Sequence, residues 1–132
     1  MIAVDTSVIV SIIRDEPDAS IWTDILDRAP RAVLSVVSHV EASMVIAGRR
    51  ADADLLRVND VLRALHVDVV PVTLAHGAAA IRAFLTYGKG RHPARLNLAD
   101  CFSYSLAKSQ NLPLLFKGGD FLKTDIVPAW RP

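Results

Sequence analysis

Four short, largely apolar runs alternate with helical patterns, and this alternation constrains the fold more than any other feature. The runs are Ile2–Val4, Ala32–Val36, Val67–Val72 and Leu114–Phe116. Between them, apolar residues recur at the spacing of amphipathic helices. Strands buried on both faces read as continuous apolar runs, so the pattern predicts an α/β fold with a central parallel sheet flanked by helices on both faces. Pro71 predicts that the third strand lies at an edge or ends there.

The length and composition fit a single domain over residues 1–132. Of the 132 residues, 52% are hydrophobic, which is enough apolar material for a core on both sides of a sheet. None of the apolar runs approaches the roughly 20 residues that a membrane span requires, so we expect a cytoplasmic protein with no membrane partner. The one cysteine, Cys101, rules out an internal disulfide and fits a reducing compartment.

Basic side chains are concentrated in the second half of the chain, although the net charge is only +1. From residue 82 to residue 117 the only acid is Asp100, whereas the bases are Arg82, Lys89, Arg91, Arg95, Lys108 and Lys117. Glycine and proline within Tyr87–Arg95 predict a loop there. This loop is either simply solvated or a flexible basic arm that binds phosphate backbones. The distribution of charge favours an anionic partner.

One acid directly follows an apolar run, a second lies in the glycine turn after another run, and a third lies near the start of a helix. Asp5 follows the first run and Asp120 the last, while Asp100 comes three residues after Asn97, a preferred helix cap. Acids at such places can merely cap a helix or shape a glycine turn. The functional interpretation is that they meet at the carboxyl edge of the sheet, where open α/β sheets bind ligands.

A fourth acid, Glu41, lies in the helix expected after the second strand. Ser38 and Glu41 have the spacing of a capping box, which predicts a helix that starts there and continues to about Arg50. Apolar spacing predicts its inward face: Val37, Val40, Met44, Val45 and Gly48. Glu41 falls within this stripe, and burying a carboxylate is costly unless it is paired or bound to a metal. Glu41 is therefore either a capping partner or a member of the acidic site.

Four converging carboxylates would repel one another unless a divalent cation neutralised their charge. Oxygen ligands without paired Cys or His select magnesium or manganese over zinc. Such an ion can lower the pKa of a bound water and stabilise charge on a phosphoryl group. The residues therefore predict metal-assisted hydrolysis of a phosphodiester. No Ser-His pair, Cys-His pair or phosphate-binding loop motif competes with that chemistry.

The same residues resemble a known family over essentially the whole chain. Its motifs are Asp5-Thr6-Ser7, Glu41 in its helix, the run from Tyr87 to Ala94 leading into Asn97-Leu98-Ala99-Asp100-Cys101, and the run from Leu114 to Phe121 with Thr124-Asp125. Together they resemble the PIN-domain ribonucleases, and more narrowly the VapC toxins of bacterial toxin-antitoxin pairs. Many relatives carry Thr or Ser two residues before the fourth acid, where this chain has Gly118. Asp125 looks structural in this pattern.

The resemblance implies a single PIN-like domain that acts as a toxin. Its activity would be that of an endoribonuclease that depends on Mg2+ or Mn2+, cleaves structured RNA such as tRNA or ribosomal RNA, and arrests translation. The resemblance implies four catalytic and metal-binding acids: Asp5, Asp100, Glu41 and Asp120. Asp5 and Asp100 are expected to be the principal ligands. Supporting roles fall to Thr6, Ser7 and Asn97. The cations expected to hold RNA phosphates are Lys89, Arg91, Arg95 and Lys117.

The resemblance also implies two protein partners: a VapB-type antitoxin that binds and blocks the site, and a second copy of the chain in a homodimer. Two other functional classes stay open beside this one. A PIN-like binding module would hold a partner without cutting RNA, although the presence of all four acids argues against it. A phosphotransfer receiver domain needs an acceptor Asp at the end of a middle strand, whereas Val67–Val72 has Asp68 at its start and no acid at its end.

Overall fold

The centre of the fold is a parallel sheet of four strands, as the sequence predicts. The computed structural model describes residues 1–48 and 53–132. Its strands are β1 (Ile2–Val4), β2 (Ala32–Ser35), β3 (Val67–Val70) and β4 (Leu114–Leu115). Their order across the sheet is β3-β2-β1-β4, and each neighbouring pair is parallel. Because β1 pairs with both β2 and β4, the residue that follows it emerges in the middle of the carboxyl edge.

Helices connect the strands and cover the sheet. Within the described residues they are α1 (Thr6–Ile13), α2 (Ala19–Arg28), α3 (Val36–Ala47), α4 (Ala53–Ala64), α5 (Leu74–Tyr87) and α6 (Leu98–Ser109), followed by a 3-10 turn at Phe121–Lys123. None of these helices is long and apolar enough to cross a membrane. The predicted edge position of β3 is confirmed. That strand stops one residue before Pro71, which has no N–H for a neighbouring strand.

Alternate strand residues feed two separate apolar clusters, one on each face of the sheet. Val4 and Leu34 belong to the cluster that includes side chains of α1, α2, α3 and α4. Ala3 and Val33 belong to the cluster that includes side chains of α5 and α6. The alternation follows from the two-residue repeat of a strand. The prediction of helices on both faces is confirmed, and Asp5, directly after Val4, leaves the sheet between the two helix layers.

The start of α3 differs from the sequence prediction. Ser35, the last residue of β2, is the N-cap, and its side chain accepts a hydrogen bond of 3.2 Å from the Val37 N–H. The helix therefore begins directly after Ser35. The predicted capping box between Ser38 and Glu41 is wrong because Ser38 already lies inside the first turn of the helix.

The inward face of α3 also differs from the prediction. Its buried side chains are those of Ser38, Ala42 and Ile46. Val40 and Met44, which were expected to face the core, are 45% and 69% exposed. Apolar periodicity misidentifies this face because small side chains line the contacts of α3 with α1 and α6. The helix ends at Ala47, and the predicted continuation to Arg50 falls within residues 49–52, outside the described residues.

Candidate active site

Asp5 lies at the carboxyl end of β1, where it is only 4% exposed. Its two carboxylate oxygens accept three hydrogen bonds. Oδ2 accepts from the Ser7 N–H at 3.0 Å and from the Ser7 hydroxyl at 2.7 Å, and Oδ1 accepts from the Ser103 hydroxyl at 2.6 Å. The bonds at Oδ2 are those of an N-cap, so Asp5 does cap α1. The cap leaves Oδ1 unexplained, because Ser103 belongs to a different helix, α6.

Glu41 lies in the second turn of α3, in the same electrostatic environment as Asp5. Burial raises the pKa of the Glu41 carboxyl above its usual value, and the negative charge of Asp5 raises it further. The hydroxyl of Thr6, which also lies 3.4 Å from the carbonyl oxygen of Ser38, opposes this shift. The raised pKa of Glu41 therefore indicates a carboxyl that is partly buried and influenced by a second negative charge.

Asp100 is both part of a helix cap and an acid with a strongly raised pKa. It occupies the third position of α6 and forms a reciprocal capping box with Asn97, as the sequence predicts. Burial raises the pKa of Asp100 from 3.8 to about 7. The charges of Asp5, Glu41 and Asp120 add to this shift, while the Asn97 N–H opposes it. A cap in open water would have no reason for such a shift, so a cap alone does not account for Asp100.

Asp120 reaches the same region from the turn after β4. It is exposed, and its side chain makes no capping hydrogen bond with the 3-10 turn that follows it. The charge of Asp120 is one of the causes that raise the pKa of Asp100. Gly118, two residues earlier, has a φ of +96°, which a Thr or Ser adopts only with strain. The difference from many relatives at Gly118 therefore fits the backbone of this particular turn.

The donor set of this cluster fits a divalent cation. Carboxylate oxygens are the ligands that magnesium and manganese prefer, and a cation would offset the repulsion that raises the pKa of Asp100. Among residues 1–48 and 53–132, no three His, Cys, Asp or Glu side chains already surround a common point suited to a metal. Convergence of negative charge, and not a preformed ligand shell, is therefore the structural argument for a metal here.

The basic loop after α5 is compact and is anchored to the rest of the domain. Its ends are tied by hydrogen bonds of 3.0 Å from the Lys89 N–H to the Leu96 carbonyl oxygen and from the Leu96 N–H to the Tyr87 carbonyl oxygen. Ala94 and Leu96 are fully buried and anchor the loop to the core. The backbone thus presents, just before α6, three exposed cationic side chains: Lys89, Arg91 and Arg95.

Lys117 differs from the other three cations because its ammonium has two carboxylate partners. Its Nζ donates to Oε2 of Glu16 at 2.5 Å and to Oδ1 of Asp18 at 3.0 Å. The two hydrogen bonds raise the pKa of Lys117, and the bond from Lys117 lowers the pKa of Glu16. The backbone N–H of Lys117 also donates to the Ser7 hydroxyl at 3.0 Å. Lys117 therefore connects the end of β4 to the turn between α1 and α2.

Two further acids have partners outside the cluster. Asp125 accepts hydrogen bonds from the Tyr104 hydroxyl at 2.6 Å and from the Lys108 ammonium at 2.9 Å, which together fasten the C-terminal segment to α6. This arrangement agrees with the structural role that the sequence pattern indicates. Asp68, on the edge strand β3, forms an exposed ion pair of 3.0 Å with Arg31. It occupies none of the positions that a receiver domain requires of its acceptor.

Ser38 and Ser103 are the site residues that the sequence analysis did not identify. Both are fully buried, and their hydroxyl oxygens lie 3.1 Å apart. Ser38 was interpreted as a cap, and Ser103 was not singled out at all. A signal was nevertheless available, because Ser103 lies three residues after Asp100 and therefore on the same face of α6.

Comparisons with known proteins agree with this geometry. A PIN domain model matches residues 2–127. VapC ribonuclease Mb0640 of Mycobacterium bovis is 41% identical over 129 residues, which are 98% of each chain. Ribonuclease VapC of Mycolicibacterium smegmatis is 40% identical over 124 residues, which are 94% of this chain and 96% of that one.

Solved structures support the fold independently. VapC20 of Mycobacterium tuberculosis, described as a sarcin-ricin loop cleaving toxin, has a TM-score of 0.78 at 17% identity and covers 96% of this chain and 97% of its own. A chain of a toxin-antitoxin complex from Klebsiella pneumoniae has a TM-score of 0.72 at 15% identity, with 95% and 93% covered. The family model and the close relatives together establish that the chain belongs to the PIN-domain family and, within it, to the VapC ribonucleases.

Proposed function

We propose that this VapC-type ribonuclease is the toxin of a toxin-antitoxin pair and a divalent-metal-dependent endoribonuclease that cleaves tRNA or ribosomal RNA and so arrests translation. The observation that carries the proposal is that Asp5, buried at the carboxyl end of β1, accepts a hydrogen bond of 2.6 Å from Ser103, which lies three residues after Asp100 on α6. Burial and the charges of Asp5, Glu41 and Asp120 raise the pKa of Asp100 there. Titratable groups with strongly perturbed pKa values cluster at functional sites. An RNA substrate would be met in the cytoplasm, where we expect the protein to act.

Asp5 and Asp100 are the proposed principal ligands of Mg2+ or Mn2+, with Glu41 and Asp120 completing the site directly or through water. The bound ion would supply charge stabilisation at the scissile phosphate and a more acidic water. The chain supplies orientation: Ser7 and Ser103 hold the two oxygens of Asp5 in one direction. Asn97 in turn holds one oxygen of Asp100 through a hydrogen bond of 2.9 Å.

Lys89, Arg91 and Arg95 are the proposed contacts to RNA phosphates. They are exposed on the compact loop that leads into α6, only a few residues before Asp100. Cations on a fixed backbone would position the RNA without reading its sequence, because phosphates are the same at every nucleotide. A ribosomal substrate gains support from VapC20, which has the same fold and is described as cleaving the sarcin-ricin loop.

The proposed protein partners are a VapB-type antitoxin and a second copy of the chain. The fold shared with a chain of the toxin-antitoxin complex from Klebsiella pneumoniae supports the antitoxin, which would cover the acidic edge of the sheet. The homodimer gains support from α5, where Leu74, Ile81 and Leu85 are 96%, 65% and 54% exposed. Large apolar side chains open to water on one helix favour an interface with another protein.

The proposed activity is tested with the purified chain, freed of any antitoxin, and total bacterial RNA in Mg2+ or Mn2+. We expect discrete fragments that disappear with EDTA and in the Asp100→Asn variant. Asparagine can still accept the Asn97 hydrogen bond, so this variant should keep the helix cap and the fold. Asp27→Asn is the matched control. Asp27 is an exposed acid near the end of α2, and the next strand, β2, begins at the edge of the sheet opposite to the acidic site.

Cleavage by Asp100→Asn at the wild-type rate would contradict the assignment of the site. Intact RNA with the wild-type chain, combined with no binding of divalent ions, would favour a PIN-like module that holds a partner without cutting it. Calorimetric titration with Mn2+ therefore accompanies the cleavage assay.

A further inference from the structure

We propose that Ser103, supported by Ser38, is a positioning residue that sets the direction of the Asp5 carboxylate relative to the two helices that carry Glu41 and Asp100. This inference deepens the proposed function and rests on it. In this role the hydroxyl groups of Ser103 and Ser38 touch neither the substrate nor the reacting atoms. They act on the acidic site by orienting the Asp5 carboxylate.

The donor and the acceptor can be assigned in both hydrogen bonds that link Ser38, Ser103 and Asp5. The Ser103 hydroxyl donates to Oδ1 of Asp5 at 2.6 Å, so its single proton is committed to the carboxylate. The Ser38 and Ser103 hydroxyl oxygens are 3.1 Å apart, and Ser38 must therefore be the donor to Ser103. The result is a buried relay that runs from Ser38 through Ser103 to Asp5.

This relay joins the structural elements that carry three of the four acids: Asp5, Glu41 and Asp100. Ser38 lies on α3 three residues before Glu41, and Ser103 lies on α6 three residues after Asp100. Residues three apart on a helix share a face, so each serine is on the side of its helix that bears the acid. Asp5 closes the connection from the end of β1. One pair of hydroxyls thus ties together the acid-bearing parts of β1, α3 and α6.

Packing alone does not account for these hydroxyls. Buried hydroxyls are costly unless they are paired, and alanine is the better helix former. Alanine is indeed the residue at other buried positions of α6, namely Ala99 and Ala107. A serine inside a helix commonly bonds a carbonyl of its own helix, as Ser43 does with the His39 carbonyl oxygen at 2.8 Å. The Ser103 hydroxyl is instead directed at a carboxylate that lies 98 residues away in the sequence.

Loss of the Ser103 hydroxyl should loosen Asp5 without unfolding the chain. In Ser103→Ala, Asp5 would keep its two bonds from Ser7 at Oδ2, while Oδ1 would lose its partner. Residues that orient a metal ligand through a hydrogen bond typically affect metal affinity by about 10-fold to 100-fold. We therefore expect the dissociation constant for Mn2+ to rise by about 10-fold in Ser103→Ala. In Ser38→Ala, where the relay loses only its outer member, the rise should be smaller.

Ser105→Ala is a matched control for this measurement. Ser105 lies on the same helix and is fully buried, but its hydroxyl donates to the His76 carbonyl oxygen at 2.7 Å. Calorimetric Mn2+ titration of the antitoxin-free chain, with thermal unfolding of each variant, compares the two serines directly. The expected result is weaker Mn2+ binding in Ser103→Ala alone, with similar unfolding midpoints for both variants. Equal Mn2+ affinity in Ser103→Ala and Ser105→Ala would overturn the inference and leave the proposed function standing.

A metal-independent measurement separates this inference from the proposed function. The 13C signal of the Asp5 carboxyl carbon should shift in Ser103→Ala and stay in place in Ser105→Ala, because only the first change removes a hydrogen bond to that carboxylate. A wild-type chain that binds no Mn2+ would count against the proposed function. In that case an Asp5 signal that shifts only in Ser103→Ala would support the positioning role, and an unchanged signal would overturn it.

Discussion

Asn97 and Asp100 exchange two hydrogen bonds of 2.9 Å at the start of α6. One runs from the Asn97 N–H to Oδ2 of Asp100, and the other from the Asp100 N–H to the Asn97 side chain. Asp100, whose pKa is raised to about 7, is therefore also part of a helix cap. The cap fixes where Asp100 sits, while burial and three neighbouring carboxylates determine how readily it ionises.

The raised pKa of Asp100 should make the metal-free fold less stable as the pH rises. Between 3.8 and about 7, the folded chain retains a proton at Asp100 that the unfolded chain has released. The stabilisation is complete below the lower value and is lost as the pH passes through the upper one. Urea unfolding in EDTA, compared between the wild type and Asp100→Asn across this interval, should show the wild type losing stability relative to the variant as the pH rises. A constant difference would contradict the shift.

The affinity for Mn2+ should rise over the same interval of pH. A proton on Asp100 competes with the cation for the same carboxylate, and this competition ends once the pH exceeds about 7. Calorimetric titration of the wild type at several pH values measures the effect. Tight binding that does not change between the acidic and the neutral samples would argue against Asp100 as a ligand.

Lys89→Ala should weaken RNA binding in a salt-dependent way. Removing one phosphate contact should lower the slope of log affinity against log salt by about one unit. The measurement is a set of binding titrations with uncleaved RNA in EDTA at several salt concentrations. Arg57→Ala is the control, because Arg57 is an exposed base on α4, which packs on the other face of the sheet from the basic loop. An equal change of slope in both variants would contradict the assignment of the loop.

Lys117→Met should affect folding more than RNA binding. Its ammonium is paired with Glu16 and Asp18, so its removal should leave two carboxylates without their cation. Because all three side chains are partly exposed, we expect a loss of less than about 1 kcal/mol in the free energy of unfolding. Urea unfolding measures that loss, and the salt slope of RNA binding should match that of the wild type. A slope lowered as far as in Lys89→Ala would restore Lys117 to the RNA-binding set.

Ile81→Glu should convert the proposed homodimer into a monomer. Ile81 is 65% exposed on α5, and a charge there would have to be buried in an interface built on this helix. Size-exclusion chromatography with light scattering gives the mass directly. Ile21→Glu is the control, since Ile21 is an exposed isoleucine of α2 on the opposite face of the sheet. A dimer that survives Ile81→Glu would exclude α5 from the interface.

Local sequence signals locate the acids but not their partners. Asp5 could be predicted from the end of an apolar run, and Asp100 from its spacing to a capping Asn97. The Ser103 contact with Asp5 spans 98 residues, and the Lys117 pair with Glu16 spans 101. Such contacts depend on how α6 and β4 pack beside β1, which no local pattern encodes.

The error at α3 has a different physical origin. Ser35 and Ser38 are both good caps, and the two residues between them, Val36 and Val37, do not decide which serine ends the strand. The parallel pairing of Ser35 with Val70 extends β2 to that residue and settles the boundary. With Ser35 as the N-cap, the side chain of Ser38 lies on the buried face of α3 and contacts the Ser103 hydroxyl.

Anomalous diffraction from crystals soaked in Mn2+ locates the ion in the acidic site without an assay of activity. We expect a peak between Asp5 and Asp100, at the roughly 2.0–2.2 Å from carboxylate oxygens that is usual for such ions. The peak should disappear in Asp100→Asn and persist in Asp27→Asn. An ion bound elsewhere, or one that remains beside Asp5 in Asp100→Asn at full occupancy, would contradict the acidic site described above.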